Sequence, residues 1–121
     1  MKKQKGFTLI EVVLGLFILA VGLLSIAGMQ MTSVRGNAFS NKMSQATYVI
    51  QDRLEFLRYL PLDSPLLEAG THDDGSTTVS GIVFNRSYEV AINSNVRTIN
   101  YTVTYNDGTD HTHSIMTIRT Q

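Results

Sequence analysis

From Gly6 to Met29 the chain reads GFTLIEVVLGLFILAVGLLSIAGM, and no charged residue occurs from Val12 to Val34. In a helix, roughly 20 apolar residues at about 1.5 Å each cross a hydrocarbon layer of about 30 Å. The stretch therefore predicts one membrane-spanning helix over 7–31. Ahead of it stands MKKQKG, a short basic segment of the kind that stays cytoplasmic while the following helix inserts. The expected orientation is N-terminus in the cytoplasm and the rest of the chain outside the inner membrane.

Glu11 interrupts the apolar run. Insertion scales put an acidic side chain at the helix centre at about 2.5 to 3.5 kcal/mol, so the carboxylate calls for a partner or for an interfacial position that reaches water. At about 100° per residue, Glu11, Gly15, Ile18, Gly22, Ser25 and Met29 lie close to one line along the helix. Such a stripe suits close approach by neighbouring helices, because small residues let backbones near one another in lipid. A conventional signal sequence is the alternative, since Ser25-Ile26-Ala27 offers small residues to a signal peptidase. It would make the chain a secreted or anchored binding domain, a reading that gives Glu11 no role.

The motif GFTLIEVV, Gly6 to Val13, resembles the leader junction of type IV prepilins and pseudopilins, where a basic leader ends in Gly and an aromatic residue follows. The resemblance implies a leader of residues 1–6, cleavage by a prepilin peptidase between Gly6 and Phe7, and N-methylation of the new Phe7 amine. It also implies a role for Glu11, whose carboxylate would neutralise the N-terminal amine of an adjacent subunit. Opposite charges attract strongly in a medium of low dielectric, and a misplaced subunit would leave both unpaired. Further along, FNRSYEVAI, VRTINYTVTYND and HTHSIMTIRTQ, between Phe84 and Gln121, resemble the C-terminal strands of PilV-type minor pilins. The implied function is a minor pilin that joins other minor and major pilins through its N-terminal helix, to prime or modify a fibre. A type II secretion pseudopilin is the alternative within the class. Two features of many major pilins are missing: the first proline is Pro61, so the apolar helix has none, and there is no cysteine for a C-terminal disulfide.

Past the apolar run, Phe39, Met43, Ala46, Ile50, Leu54 and Leu57 recur at steps of three or four and extend the helix as an amphipathic half over 32–60. Pro61 disfavours helix at its predecessor, so the whole helix is expected from Phe7 to Tyr59. PLDSPLLEAG and THDDGST carry the residues of turns, and 61–77 reads as a connecting loop. Antiparallel sheet is expected over 78–121. Tyr88, Val90 and Ile92 alternate with polar residues, as do Ile99, Tyr101, Val103 and Tyr105; Ser114 to Arg119 forms a third strand, and a short one around Val79 to Phe84 precedes them. Asn106-Asp107-Gly108 is a hairpin signal between the last two. The fold class is α+β, a long N-terminal helix packed on a small antiparallel meander.

Little chemistry is on offer. Ten basic and ten acidic residues cancel, and no Lys/Arg run lies beyond the first five residues, so nothing gathers nucleic acid. His111 and His113 would share a strand face with Asp107 or Asp110 nearby, yet they lack a convincing third metal ligand. Asp73-Asp74-Gly75 has no calcium-loop spacing, and Asp52 with Glu55 reads as a solvated helix face. With no catalytic motif and no cofactor fingerprint, the sequence points to association rather than catalysis.

Overall fold

A computed structural model describes residues 5–120; Met1 to Gln4, most of the expected leader, and Gln121 lie outside the described residues. The elements are helix α1 (Leu9–Tyr59), a 3-10 turn (Pro65–Leu67), and strands β1 (Gly70–Val79), β2 (Ile82–Asn93), β3 (Val96–Asn106) and β4 (Asp110–Thr120). The chain divides into two units, 1–40 and 41–121, and α1 contributes to both.

The first unit is the apolar part of α1. Its described residues are all exposed, including the large side chains from Phe7 to Val34. Ser25 and Thr32 donate their hydroxyls to the carbonyls of Val21 and Gly28 at 2.9 and 3.1 Å. These two hydroxyls are thereby satisfied within their own helix, as an apolar surrounding requires.

In the second unit, the rest of α1 packs on a four-stranded antiparallel sheet in the order β1-β2-β3-β4. Ala46, Val49, Ile50, Leu54 and Leu57 bury one helix face against Phe84, Tyr88, Val90, Ile99, Tyr101, Val103 and Tyr105, and Leu67 closes the end. The helical period named four of the five helix residues. Met43 and Phe39, which continue it toward the N-terminus, are exposed, and Val49 widens the buried stripe instead. Burying a side chain of this size is worth about 1.5 to 3 kcal/mol, enough for a small core to hold the sheet to the helix.

Main-chain ends and turns follow local chemistry. The last turn of α1 stops before Pro61, and Arg119 of β4 donates to the carbonyls of Leu57 and Leu60 at 3.3 and 2.6 Å, meeting acceptors that the helix end leaves open. Ser80 and Gly81, at φ 50° and 80°, form a two-residue hairpin between β1 and β2, whose twist demands left-handed backbone at both positions. The β3–β4 hairpin closes at the pair Asn106↔Asp110, with Gly108 at φ 107° in its turn.

Two expectations need correction. The connecting loop read over 61–77 ends at residue 69, because Gly70–Val79 is a full strand paired with β2 from Gly70↔Val90 to Val79↔Ile82. The short strand placed at Val79 to Phe84 is instead a hairpin corner, split by the Ser80-Gly81 turn, and Ile82 to Asn93 runs as one strand. Pairing and side-chain bonds hold β1 in a sheet despite a sequence with a single large apolar residue, Val79.

Leu57 is 1% exposed at the centre of this core. Leu57→Ala is expected to cost about 2 to 5 kcal/mol, read from denaturant unfolding of the detergent-solubilised chain with tyrosine fluorescence following the sheet. Tyr59→Ala, an exposed neighbour, is expected to change stability by under about 0.5 kcal/mol.

Candidate functional site: the N-terminal segment and the Asp74 clasp

Gly6 and Phe7 precede α1 in non-helical backbone, and Phe7 is 82% exposed. The helix starts at Leu9 rather than at Phe7 because Thr8 caps it. The Thr8 hydroxyl accepts the amide N–H of Glu11 at 3.3 Å, and the Thr8 carbonyl accepts those of Glu11 and Val12 at 3.1 and 3.2 Å. Thr8-Leu9-Ile10-Glu11 has the spacing of a capping box, with Glu11 at the third helical position. A carboxylate there meets the positive end of the helix dipole, an interaction of about 0.3 to 1 kcal/mol. Glu11 thus lies in the first turn of α1 rather than near the middle of the apolar run.

The small-residue stripe is open. A Cβ added at Gly15 or Gly22 would meet nothing within 4 Å, and the same holds at Gly28 on another face. Glycine inside a helix costs roughly 1 kcal/mol relative to alanine, and here no contact within the chain requires it.

In the second unit the polar side chains converge on Asp74. Its carboxylate accepts two bonds from the Arg53 guanidinium of α1, from Nε at 2.7 Å and from Nη2 at 2.6 Å. Tyr101 of β3 donates its hydroxyl to the same carboxylate at 2.5 Å, and Arg86 of β2 donates to the Asp74 carbonyl at 2.9 Å. One residue therefore ties β1 to the helix and to both central strands. A register shift between Asp73 and Ser76 accompanies it, with Gly75 at φ 74°. Asp73 accepts the Gly75 amide at 2.9 Å, so both carboxylates of the acidic pair bond within the protein. Burial raises the Asp74 pKa, but bonds from Arg53 and Tyr101 outweigh it and hold the carboxyl below its ordinary range. Desolvation, followed by the bond to Asp74, pushes the Tyr101 phenol far above its usual value.

The loop before β1 is held by similar bonds: Tyr88 donates to the carbonyl of Leu66 at 2.9 Å and Arg97 to that of Leu67 at 2.8 Å. At the β3–β4 hairpin, Asp107 pairs with Lys42 at 2.5 Å and with His111 at 3.0 Å, and Lys42 is the chief cause of its lowered pKa. His111 and His113 do share the helix-facing side of β4. His111 stacks on Tyr105, and His113 bonds Thr47 of α1 at 3.3 Å, while Asp110 accepts from Asn106 at 2.5 Å. Among the described residues no three His, Cys, Asp or Glu side chains are placed to hold a metal ion. Asp52 and Glu55 are exposed on the helix surface.

The structure thus keeps Gly6, Phe7 and Glu11 together in one exposed, capped helix start. The Asp74 clasp was missed in the sequence, where Asp73-Asp74-Gly75 looks like a turn; the only signal for it was an Arg on the amphipathic helix with an acidic residue 21 positions later.

Residues 1–27 match the family model described as the prokaryotic N-terminal methylation motif. No curated protein and no solved structure matches the chain. The similarity covers 27 of the 121 residues and falls on the leader junction, the capped helix start and most of the apolar run. With an α+β fold of one long helix and a four-stranded antiparallel sheet, it supports a protein of the type IV pilin and pseudopilin class. One helix is long and apolar enough to cross a membrane, which supports anchoring there.

A lowered carboxyl pKa stabilises the fold above the unfolded value, near pH 4, and that contribution fades as pH falls through the folded value. Asp74→Asn is expected to lower the thermal unfolding midpoint at pH 7, and its deficit against the parent chain should narrow steadily below about pH 4. Circular dichroism melts across pH 2 to 7 measure both.

Proposed function

We propose that this chain is a minor type IV pilin. In this reading residues 1–6 are a leader, prepilin peptidase cuts between Gly6 and Phe7, and the Phe7 amine is N-methylated. Residues 7–31 then anchor the chain in the inner membrane, with the sheet on the extracytoplasmic side. From there the subunit joins other minor and major pilins through its helix, to prime or modify a fibre.

The match of residues 1–27 to the methylation motif carries the proposal. Three features agree with it. The Gly6–Phe7 bond lies outside the helix and is exposed, so a peptidase can reach it without unwinding α1. The hydroxyls of Ser25 and Thr32 bond back to the helix, and the run offers glycines that nothing within the chain presses against. Glu11 sits one turn from the new amine position, where the carboxylate of one subunit can meet the amine of the next once water is excluded. The work assigned to the chain is association, without cofactor, metal or nucleic acid.

The test is the mass and N-terminal sequence of the protein from cells with and without prepilin peptidase. The expected product begins at a methylated Phe7 only when the peptidase is present, and Gly6→Val should leave the leader attached. A product beginning at Gly28 in both strains would make the chain a conventional secreted domain. Glu11→Ala is expected to be cleaved normally and to enter sheared fibres at least tenfold less, by immunoblot; full incorporation would remove the charge pair from the account. A deletion strain that keeps its pili and loses secretion would move the chain to the pseudopilins.

A further inference from the structure

The two edges of the sheet are built differently. On β1 the register breaks between Asp73 and Ser76, glycines stand at positions 70 and 75 with positive φ, and two adjacent carboxylates occupy the bend. Bulges and charges of this kind keep an edge from pairing with a stray strand. β4 has no bulge, no positive-φ glycine and no adjacent carboxylates. It pairs with β3 at eleven successive positions, from Val96↔Thr120 to Asn106↔Asp110, without a shift. It contains no Gly, Pro or Lys, and Met116 and Ile118 on its solvent face are 64% and 62% exposed.

Beside this edge runs a groove of about 350 Å³, walled by Leu54, Glu55 and Arg58 of α1 and by Ile115, Met116 and Thr117 of β4. A regular strand edge presents main-chain donors and acceptors at every second residue, roughly 7 Å apart, a spacing that another extended backbone matches. A strand added about 4.8 Å outside β4 would hang its inward side chains over the groove. We propose that the β4 edge is a strand-acceptor site, filled in the assembled state by an extended segment of a different polypeptide that places apolar side chains in the groove and a carboxylate beside Arg119.

Charge selects the occupant. The ionisable side chains on the inward face of β4 are His111, His113 and Arg119, and Arg119 already lies across from Arg97 of β3. A second copy pairing β4 to β4 about a two-fold axis would bring no carboxylate to the Arg97–Arg119 pair, because the inward face of β4 carries none. Like charges directly opposite destabilise a sheet, whereas a carboxylate there stabilises it. An acidic strand of another protein fits where this chain's own β4 does not.

The probe is the synthetic peptide VETINYTVTYN, the β3 sequence with glutamate in place of Arg97, added to the full chain in detergent micelles and followed by amide hydrogen exchange. The expected result is at least tenfold slower exchange at alternate amides between Ser114 and Arg119, with β1 unchanged. The same peptide carrying arginine instead of glutamate should bind at least fivefold more weakly. Thr117→Lys, which turns a charge into the groove, should abolish the protection while leaving the unfolding midpoint where it was. Should that variant unfold early, Met116→Lys on the exposed face takes its place. The proposal falls if no β4 amide slows, if β1 is protected instead, or if β4 amides become protected without peptide as protein concentration rises, which would make the second copy the occupant.

Discussion

Between Val12 and Val34 there is no charge, and every side chain there is exposed to solvent. Apolar surface leaves water with a gain of about 25 cal/mol per Å², so a run of this length is covered by lipid, by other helices, or by each in turn. That demand shapes the rest of the first unit. Thr8 caps the helix just ahead of the run, Glu11 keeps its carboxylate in the first turn, and Ser25 and Thr32 turn their hydroxyls onto the helix backbone. Glycines 15, 22 and 28 leave the surface bare at points where nothing in the chain presses against them. These features suit a helix whose apolar surface is covered from outside the chain.

The second unit solves a different problem, that of making a stable domain from about 80 residues with a single thin core. Five helix residues and seven from the sheet supply the apolar part. Polar bonds then fix what the core leaves loose: Arg119 at the helix end, Tyr88 and Arg97 on the loop carbonyls, and Asp74 between α1 and three strands. The bidentate geometry of Arg53 on Asp74 gives direction as well as energy, since planar forks tolerate little misalignment. Because the clasp spends the charges of β1 on holding that strand, the two sheet edges end up unlike, and the plain one lies along a groove of the helix.

Much of this was readable beforehand, and the reasons differ by element. The helix followed from Ala46, Ile50, Leu54 and Leu57 at helical spacing and from Pro61, and β2 and β3 from strict alternation through Tyr88 and Tyr101. The Asn106-Asp107-Gly108 turn named the last hairpin. Strand β1 escaped because its ten residues include two glycines, two aspartates and only one large apolar side chain, a composition that signals a turn when only neighbours are considered. Its strand character comes from β2 across the hairpin and from Arg53 far upstream, both of which are tertiary facts. At the candidate site, Gly6, Phe7 and Glu11 were visible as a motif. What the motif did not convey is that Thr8 starts the helix and gives Glu11 a local task besides any partner.

The absence of cysteine permits a direct measurement of what covers the helix. Single Ser25→Cys and Asn41→Cys chains, expressed in cells with a permeabilised outer membrane, are exposed to a membrane-impermeant maleimide. Asn41→Cys is expected to be labelled within minutes, while Ser25→Cys stays unlabelled until detergent is added. Equal labelling of both positions before detergent would contradict this expectation, because the apolar run would then be standing in water.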